Sequence, residues 1–211
     1  MLRVLRMTPG DRFLAFNANA GEWECEIKDS SRDCVMAVMI RQIRECKSSR
    51  KLALAICQIK PENMRLILEK CTELGATDFY LLTSEYTNYH SDIAKLRRIA
   101  ISAAEQSERL DIPTIYEEVP LDKFVSDLPS EYTWFSAIER ETNACSLLEI
   151  INTHCKPFGF IVGPEGGFSD DEKTLLHTTT TPLRLSPNIL RSETAAIMCA
   201  AAGGMGQFNK G

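Results

Sequence analysis

The chain has 211 residues, 44% of them hydrophobic and 25% charged, with a formal net charge of -5. This composition excludes a disordered, collagen-like or mucin-like polypeptide and leaves room for one large domain, or a small one followed by a medium one. No apolar run approaches the ~18 residues of a membrane span, and the stretch Met1-Leu2-Arg3-Val4-Leu5-Arg6 runs into Thr8-Pro9-Gly10 without the features of a signal peptide, so a cytoplasmic protein is expected.

Charge is unevenly spread: residues 1–60 hold 11 Lys and Arg against 7 Asp and Glu, the rest 13 against 22. A basic docking module inside an acidic protein fits this asymmetry, as does an ordinary solvated surface. The eight cysteines form no C-x-x-C pair, and most sit among apolar neighbours, so they are expected to be free core thiols in a reducing compartment. His90, His154 and His177 show no ligand spacing, and no metal site is expected.

In chain order, short apolar bursts at 12–16, 23–27 and 34–40, separated by turn-forming residues, predict a small antiparallel sheet or barrel. So short a module has a marginal core of its own. A polar, basic stretch at 44–51 reads as a linker. Next comes an apolar strand at 52–59. Pro61 then opens a helix with Met64, Ile67, Leu68, Cys71 and Leu74 on one face and Glu62, Arg65, Glu69, Lys70 and Glu73 on the other, ending at Gly75. Strands are predicted at 78–83, 112–117, 133–138, 158–162 and 183–185. They alternate with helices at 92–109, after Leu121, at 144–153, from Ser169 with Glu172 completing a capping box, and from Ser192. Such alternation builds an α/β fold with a mostly parallel sheet and helices on both faces. The expected domains are 1–47 and 51–211.

Ligands of such sheets bind in the loops that leave the carboxyl ends of the strands. That rule points to Ala137-Ile138-Glu139-Arg140, to Gly163-Pro164-Glu165-Gly166-Gly167-Phe168, and to the segment from Ser186 to Thr194. The glycine loop lacks the Lys-Ser/Thr of a phosphate loop and the G-x-G-x-x-G of a dinucleotide site, and Glu165 would repel a phosphate. A neutral or cationic ligand fits it better; a plain tight turn is the structural alternative. In the last segment Ser192 is expected to cap the helix and Glu193 to complement its positive end. A cation at Arg191 is disfavoured there, which calls for an anionic partner, either Glu165 or an RNA phosphate.

The set Val4-Leu5-Arg6, Glu69-Lys70-x-Thr72-Glu73-Leu74-Gly75, Ala104-Glu105-Gln106-Ser107-x-Arg109, Ile112-Pro113, Gly163-Pro164-Glu165-Gly166-Gly167-Phe168-Ser169 and Ile189-Leu190-Arg191-Ser192-Glu193-Thr194-Ala195 resembles the RsmE family over nearly the whole chain. These are uridine-N3 methyltransferases of 16S ribosomal RNA in the SPOUT superfamily. The resemblance implies a PUA-like β-barrel that helps bind RNA, then a methyltransferase domain with a carboxyl-terminal trefoil knot. It also implies a homodimer, S-adenosylmethionine as methyl donor, and 16S RNA of the small ribosomal subunit as partner.

By the same resemblance the cofactor lies against Ala137, Ile138 and Glu139 of the first loop and against Val162, Gly163, Pro164, Glu165, Gly166 and Gly167 of the second. The third loop adds Leu185, Ser186, Ile189, Leu190, Arg191, Thr194 and Ala195. The chain departs from the family pattern in three places. Family chains carry residues before Val4-Leu5-Arg6, so the first barrel strand is expected to be missing or differently started; Ser186-Pro187-Asn188 stands where Gly-x-Arg is usual; and Tyr86 stands where an Arg is usual.

Methyl transfer to uridine N3 requires loss of the N3 proton. Glu193 is the expected acceptor, directly or through a water, with Arg191 offsetting charge on the uracil oxygens; a purely structural Glu193 that holds Arg191 and the helix start is the alternative. Arg3, Arg6, Arg12 and Lys51 are the expected phosphate contacts. Rival readings are a SPOUT ribose 2′-O-methyltransferase, a non-enzymatic RNA-binding protein, and a nucleotide-phosphate enzyme.

Overall fold

The computed structural model describes residues 7–31, 34–46, 51–139, 141, 144–153 and 157–208. Two compact units emerge: residues 1–48 with 108–112, and residues 49–107 with 113–211. Arg3 and Arg6 lie outside the described residues, as do Arg140 and residues 47–50 of the linker.

The first unit is an antiparallel sheet of β1 (Arg12–Asn17), β2 (Gly21–Ser30) and β3 (Val35–Arg44) in the order β1-β2-β3. The predicted bursts at 12–16 and 23–27 fall within β1 and β2, and the burst at 34–40 covers the first part of β3, which runs on to Arg44. The β1–β2 turn closes on Asn17, whose Oδ1 accepts from Asn19 N and Ala20 N. At the turn's end Gly21 has φ +76°, and a Cβ there would lie 2.2 Å from the Arg44 carbonyl, so only glycine fits. The core is thin: Cys25 and Ile27 are its buried apolar residues. Arg44 clamps it by donating to Glu22 Oε2 at 2.6 Å and to the Glu108 carbonyl at 3.1 Å.

The second unit is a seven-stranded, wholly parallel sheet. Its elements are β4 (Leu52–Cys57), α1 (Pro61–Glu73), β5 (Asp78–Thr83), α2 (Ile93–Gln106), β6 (Thr114–Pro120), α3 (Leu121–Ser126) and β7 (Thr133–Ala137), followed by β8 (Cys145–Ser146), α4 (Leu147–Thr153), β9 (Phe158–Val162), α5 (Asp170–Thr179), β10 (Thr181–Arg184) and α6 (Ser192–Phe208). The strand order is β6-β5-β4-β9-β7-β10-β8. The two-residue β8 is the element the sequence did not predict. Its backbone pairs with Leu183 and Arg184 of β10, a partnership that nothing in two residues announces. The helix predicted from 144 accordingly begins at Leu147.

β4 is buried at every position, as expected of a parallel strand covered on both faces. Its residues divide by alternation. Leu52, Leu54 and Ile56 join a core with α1, α2, α4 and α6, while Ala53, Ala55 and Cys57 join a second core with α3 and α5. The helix stops follow local chemistry: Asp92 Oδ1 caps α2 by accepting from Ala94 N and Lys95 N, and Gly75, at φ +97°, turns the chain after α1. Buried Asp78 opens β5 and accepts from Tyr132 Oη at 2.7 Å, Thr77 Oγ1 at 2.7 Å and Tyr116 Oη at 3.0 Å, so its charge is satisfied inside the protein. No helix among the described residues is long and apolar enough to cross a membrane.

Cys25, Cys57, Cys71 and Cys199 are buried free thiols as expected, whereas Cys46 and Cys145 are half-buried and Cys34, placed in an apolar burst by the sequence, is exposed. Cys155 lies outside the described residues. Burial pushes the Cys57 thiol up to about 12 and the Cys71 thiol well above its ordinary range. In native protein at pH 8, N-ethylmaleimide is expected to label Cys34 quickly and Cys57, Cys71 and Cys199 only after denaturation, as read by peptide mass spectrometry.

Gly159 of β9 sits opposite Trp134 of β7, and a Cβ there would lie 2.6 Å from the indole. Trp134 cannot retreat, because its Nε1 donates to the Pro129 carbonyl at 3.0 Å and Phe124 meets it edge-on at 5.2 Å. Gly159→Ala is therefore expected to lower stability by about 1–3 kcal/mol in urea unfolding.

Candidate active site

β9, β7 and β10 are neighbours in a sheet whose strands all run the same way. The loops that follow them therefore leave the same edge side by side. These are the three loops singled out from the sequence.

The glycine loop is built tightly. Gly167 N donates to the Pro164 carbonyl at 2.9 Å and Gly167 has φ +73°, a conformation that side chains rarely adopt. Phe168 folds back so that its ring would lie 3.0 Å from a Cβ on Gly163. Directly after it α5 begins with the predicted capping box: Ser169 N donates to Glu172 Oε2 at 2.9 Å, and Glu172 N to Ser169 Oγ at 3.4 Å. The other Glu172 oxygen accepts from Glu85 N at 2.8 Å, which ties the loop after β5 to the same place. Val162, Gly163 and Pro164 are buried, whereas Glu165 and Gly166 are exposed.

The start of α6 is joined to this loop. Ser192 Oγ donates to the Gly163 carbonyl at 2.6 Å, a buried contact. This corrects the expectation that Ser192 caps the helix. Ser192 is the first helical residue, and the carbonyl that accepts the first helical bond, from Ala195 N at 2.9 Å, belongs to Arg191. A buried carbonyl just beyond the end of β9 needs a donor, and the Ser192 hydroxyl serves that need rather than the helix.

Arg191 is exposed and, among the described residues, makes no ion pair. Glu165 is not the partner that was expected for it. Glu193 is only 8% exposed, and its Oε2 is buried with no hydrogen-bond partner among the described residues. A carboxylate in the first turn of a helix is favoured by the helix dipole, yet a buried oxygen without a donor is costly. The arrangement suits a donor brought by a ligand. Ala195 is buried beside it, Thr194 exposed.

Leu185 and Leu190 pack on the main core, as does Ala137 of the first loop. Ser186 Oγ accepts from Asn188 N at 3.0 Å and shapes the turn that leads to exposed Ile189. Ile138 is buried and Glu139 exposed. The structure thus brings the three predicted loops to one edge, with exposed Arg191 and the buried, unpartnered Glu193 oxygen on the helix start that adjoins them.

The predicted phosphate contacts are less free. Arg12 pairs with Glu24 at 3.6 Å. Lys51 pairs with Glu131 at 3.2 Å and lies 5.9 Å from the centre of the Tyr132 ring. Sequence reasoning missed the loop after β5, which adjoins the site: a Cβ on Gly166 would lie 2.9 Å from Tyr86 Cβ. The loop's far end is held by buried Gln58, whose Oε1 accepts from Ser91 N at 2.6 Å and whose Nε2 donates to Glu118, while His90 Nδ1 lies 3.0 Å from the same Glu118 carboxylate. Only the departure of Tyr86 from the family pattern signalled this loop.

Comparison with known proteins supports the geometry. Residues 46–203 match the family model described as an RNA methyltransferase domain, and residues 1–35 match an RNA methyltransferase PUA domain. Ribosomal RNA small subunit methyltransferase E of Rickettsia conorii is 32% identical over 202 residues, covering 94% of this chain and 82% of that protein. The enzyme of the same name from Synechocystis is 30% identical over 210 residues, covering 94% and 67%. Among solved structures, the ribosomal RNA small subunit methyltransferase E of Neisseria gonorrhoeae bound to S-adenosyl methionine superposes with a TM-score of 0.84 at 26% identity, covering 95% of this chain and 86% of that one. With both its parallel-sheet unit and its amino-terminal residues accounted for by the same relatives, the chain belongs to the RNA methyltransferase family that contains the ribosomal RNA small subunit methyltransferases E.

Proposed function

We propose that this RNA methyltransferase carries a methyl group from S-adenosylmethionine to N3 of a uridine in 16S ribosomal RNA of the small subunit, acting as a cytoplasmic homodimer. The observation that carries this reading is the Ser192–Gly163 hydrogen bond, which fixes the helix start that carries Arg191 and Glu193 to the glycine loop. The trefoil knot implied by the family resemblance belongs to the same reading. It is supported by the position of β10 between two strands, β7 and β8, that both precede it.

The residues present fit the methyl donor. The unpartnered Glu193 oxygen adds a carboxylate at the start of α6, Gly166 is exposed and has no side chain of its own, and exposed Glu165 and Glu139 make the rim acidic, which suits a sulfonium better than a phosphate. When bound, S-adenosylmethionine supplies an electrophilic methyl group for in-line displacement. Residues 137–139 and 162–167, with Leu185, Ser186, Ile189, Leu190, Arg191, Thr194 and Ala195, would hold it and exclude water. The protein's main task is then to fix the acceptor nitrogen in line.

Uridine N3 becomes nucleophilic only when its proton leaves. Glu193 takes that proton, directly or through a water, and the exposed Arg191 guanidinium faces the charge that spreads onto the uracil oxygens. N3 lies on the Watson–Crick edge, so the base is unpaired when it reacts. Arg12 and Lys51 contribute phosphate contacts only after exchanging their present carboxylate partners, which makes them weak contributors.

Glu193→Gln and Arg191→Ala are each expected to lower turnover about 10²-fold or more with circular dichroism unchanged. Near-normal turnover in both would reject these roles. Ser192→Ala leaves the buried Gly163 carbonyl without its donor, a loss of about 1–3 kcal/mol. It is expected to weaken S-adenosylmethionine binding about tenfold by calorimetry, and unchanged affinity would remove the loop junction from the site.

A further inference from the structure

We propose that Tyr86 is the platform on which the target pyrimidine stacks during methyl transfer. The inference rests on the RNA methylation reading above and goes beyond it by assigning the recognition of the base to a loop outside the three cofactor segments.

Tyr86 occupies a turn held from several sides. Thr87 N donates to the Ser84 carbonyl at 3.0 Å, Ser84 N donates to Thr87 Oγ1 at 3.0 Å, and Asn88 Nδ2 donates to the Tyr86 carbonyl at 3.2 Å. The preceding residue is tied to α5 through Glu85 N and Glu172. The Tyr86 Cβ presses against Gly166, where a side chain would leave it 2.9 Å from a second Cβ. So much restraint would ordinarily drive an aromatic ring into a core. Here the side chain stays 44% exposed, at the rim of the candidate active site.

Among the described residues of the methyltransferase unit, Tyr116 is the other exposed aromatic, and its ring is already stacked on Tyr80 at 4.3 Å. No ring of the described residues stacks on Tyr86. Its ring carbons Cγ and Cδ2 would lie 3.3 and 3.5 Å from a Cβ on Gly166, so the side of the ring turned away from Gly166 is the one left to a ligand.

The glycine loop places this ring relative to the chemistry. Gly163, held by Ser192, and Gly166, packed under Tyr86, are three residues apart, which is at most about 10 Å of extended chain. Tyr86 and the Arg191–Glu193 segment thus border the two ends of one loop. A base withdrawn from its helix loses its stacking partners, and an aromatic face replaces them without occupying the Watson–Crick edge. N3 then remains free to meet the methyl group. A phenyl ring would serve as well, because the contact uses the π-face and not the hydroxyl.

The test measures methylation of small ribosomal subunits that lack the modification, using tritiated S-adenosylmethionine at varied subunit concentration, with cofactor affinity taken separately by calorimetry. Tyr86→Ala and Tyr86→Leu are expected to lower kcat/KM for the RNA substrate about tenfold or more. Their cofactor affinity stays within about twofold of the parent, and Tyr86→Phe retains near-parental kcat/KM. Parental kcat/KM in the Ala and Leu variants overturns the stacking role while leaving the methylation reading in place. So does a parallel loss of cofactor affinity in both, which would mark Tyr86 as a prop for the glycine loop. Failure of the parent protein to methylate uridine overturns the methylation reading and this inference with it.

Discussion

The hydroxyl of Ser192 donating to the carbonyl of Gly163 at 2.6 Å joins the last helix to the loop after β9. Through it a helix terminus that carries a cation and a carboxylate is fixed to a loop with three glycines in five residues. The bond is buried, and buried hydrogen bonds are costly to leave unmade, so the junction is a rigid part of the fold.

That junction depends on the sheet. Parallel strands put all their carboxyl ends on one edge, and the order β9-β7-β10 makes neighbours of three loops that are distant in the chain. The two hydrophobic cores hold this arrangement in place. Larger side chains of β4 and β9 face α1, α2, α4 and α6, while on the opposite face Trp134 and Tyr132 join Phe124 of α3 and Leu176 of α5. Glycines mark the places where two elements come closest, with Gly159 under Trp134, Gly166 under Tyr86 and Gly203 against Leu52.

The buried carboxylates of the parallel-sheet unit divide into satisfied and unsatisfied ones. Asp78, buried at the opposite edge of the sheet, receives three hydroxyl donors and is part of the scaffold. Glu172 uses both oxygens, one for its helix cap and one for the loop after β5. Glu193 is buried to a similar degree as Asp78, yet one of its oxygens has no partner among the described residues. Native proteins pair nearly all such groups, so the exception points to the place where a ligand completes the structure.

The sequence by itself determined whatever is written in neighbouring residues. The alternation in β1 and β2, the continuous apolar run of β4, the stripe Met64-Ile67-Leu68-Cys71 on α1 and the Ser169–Glu172 box appear where the pattern put them, because each depends on local backbone geometry and burial of one face. The three site loops were legible too, through the rule for parallel strands and the family motifs. Tertiary structure alone decided which strands adjoin, that Cys145 and Ser146 pair with β10, that Ser192 turns to Gly163 instead of capping its helix, and that Tyr86 stands over Gly166. Those facts join residues tens of positions apart, and a donor or an aromatic ring takes whichever partner the fold brings within reach, which no local pattern records.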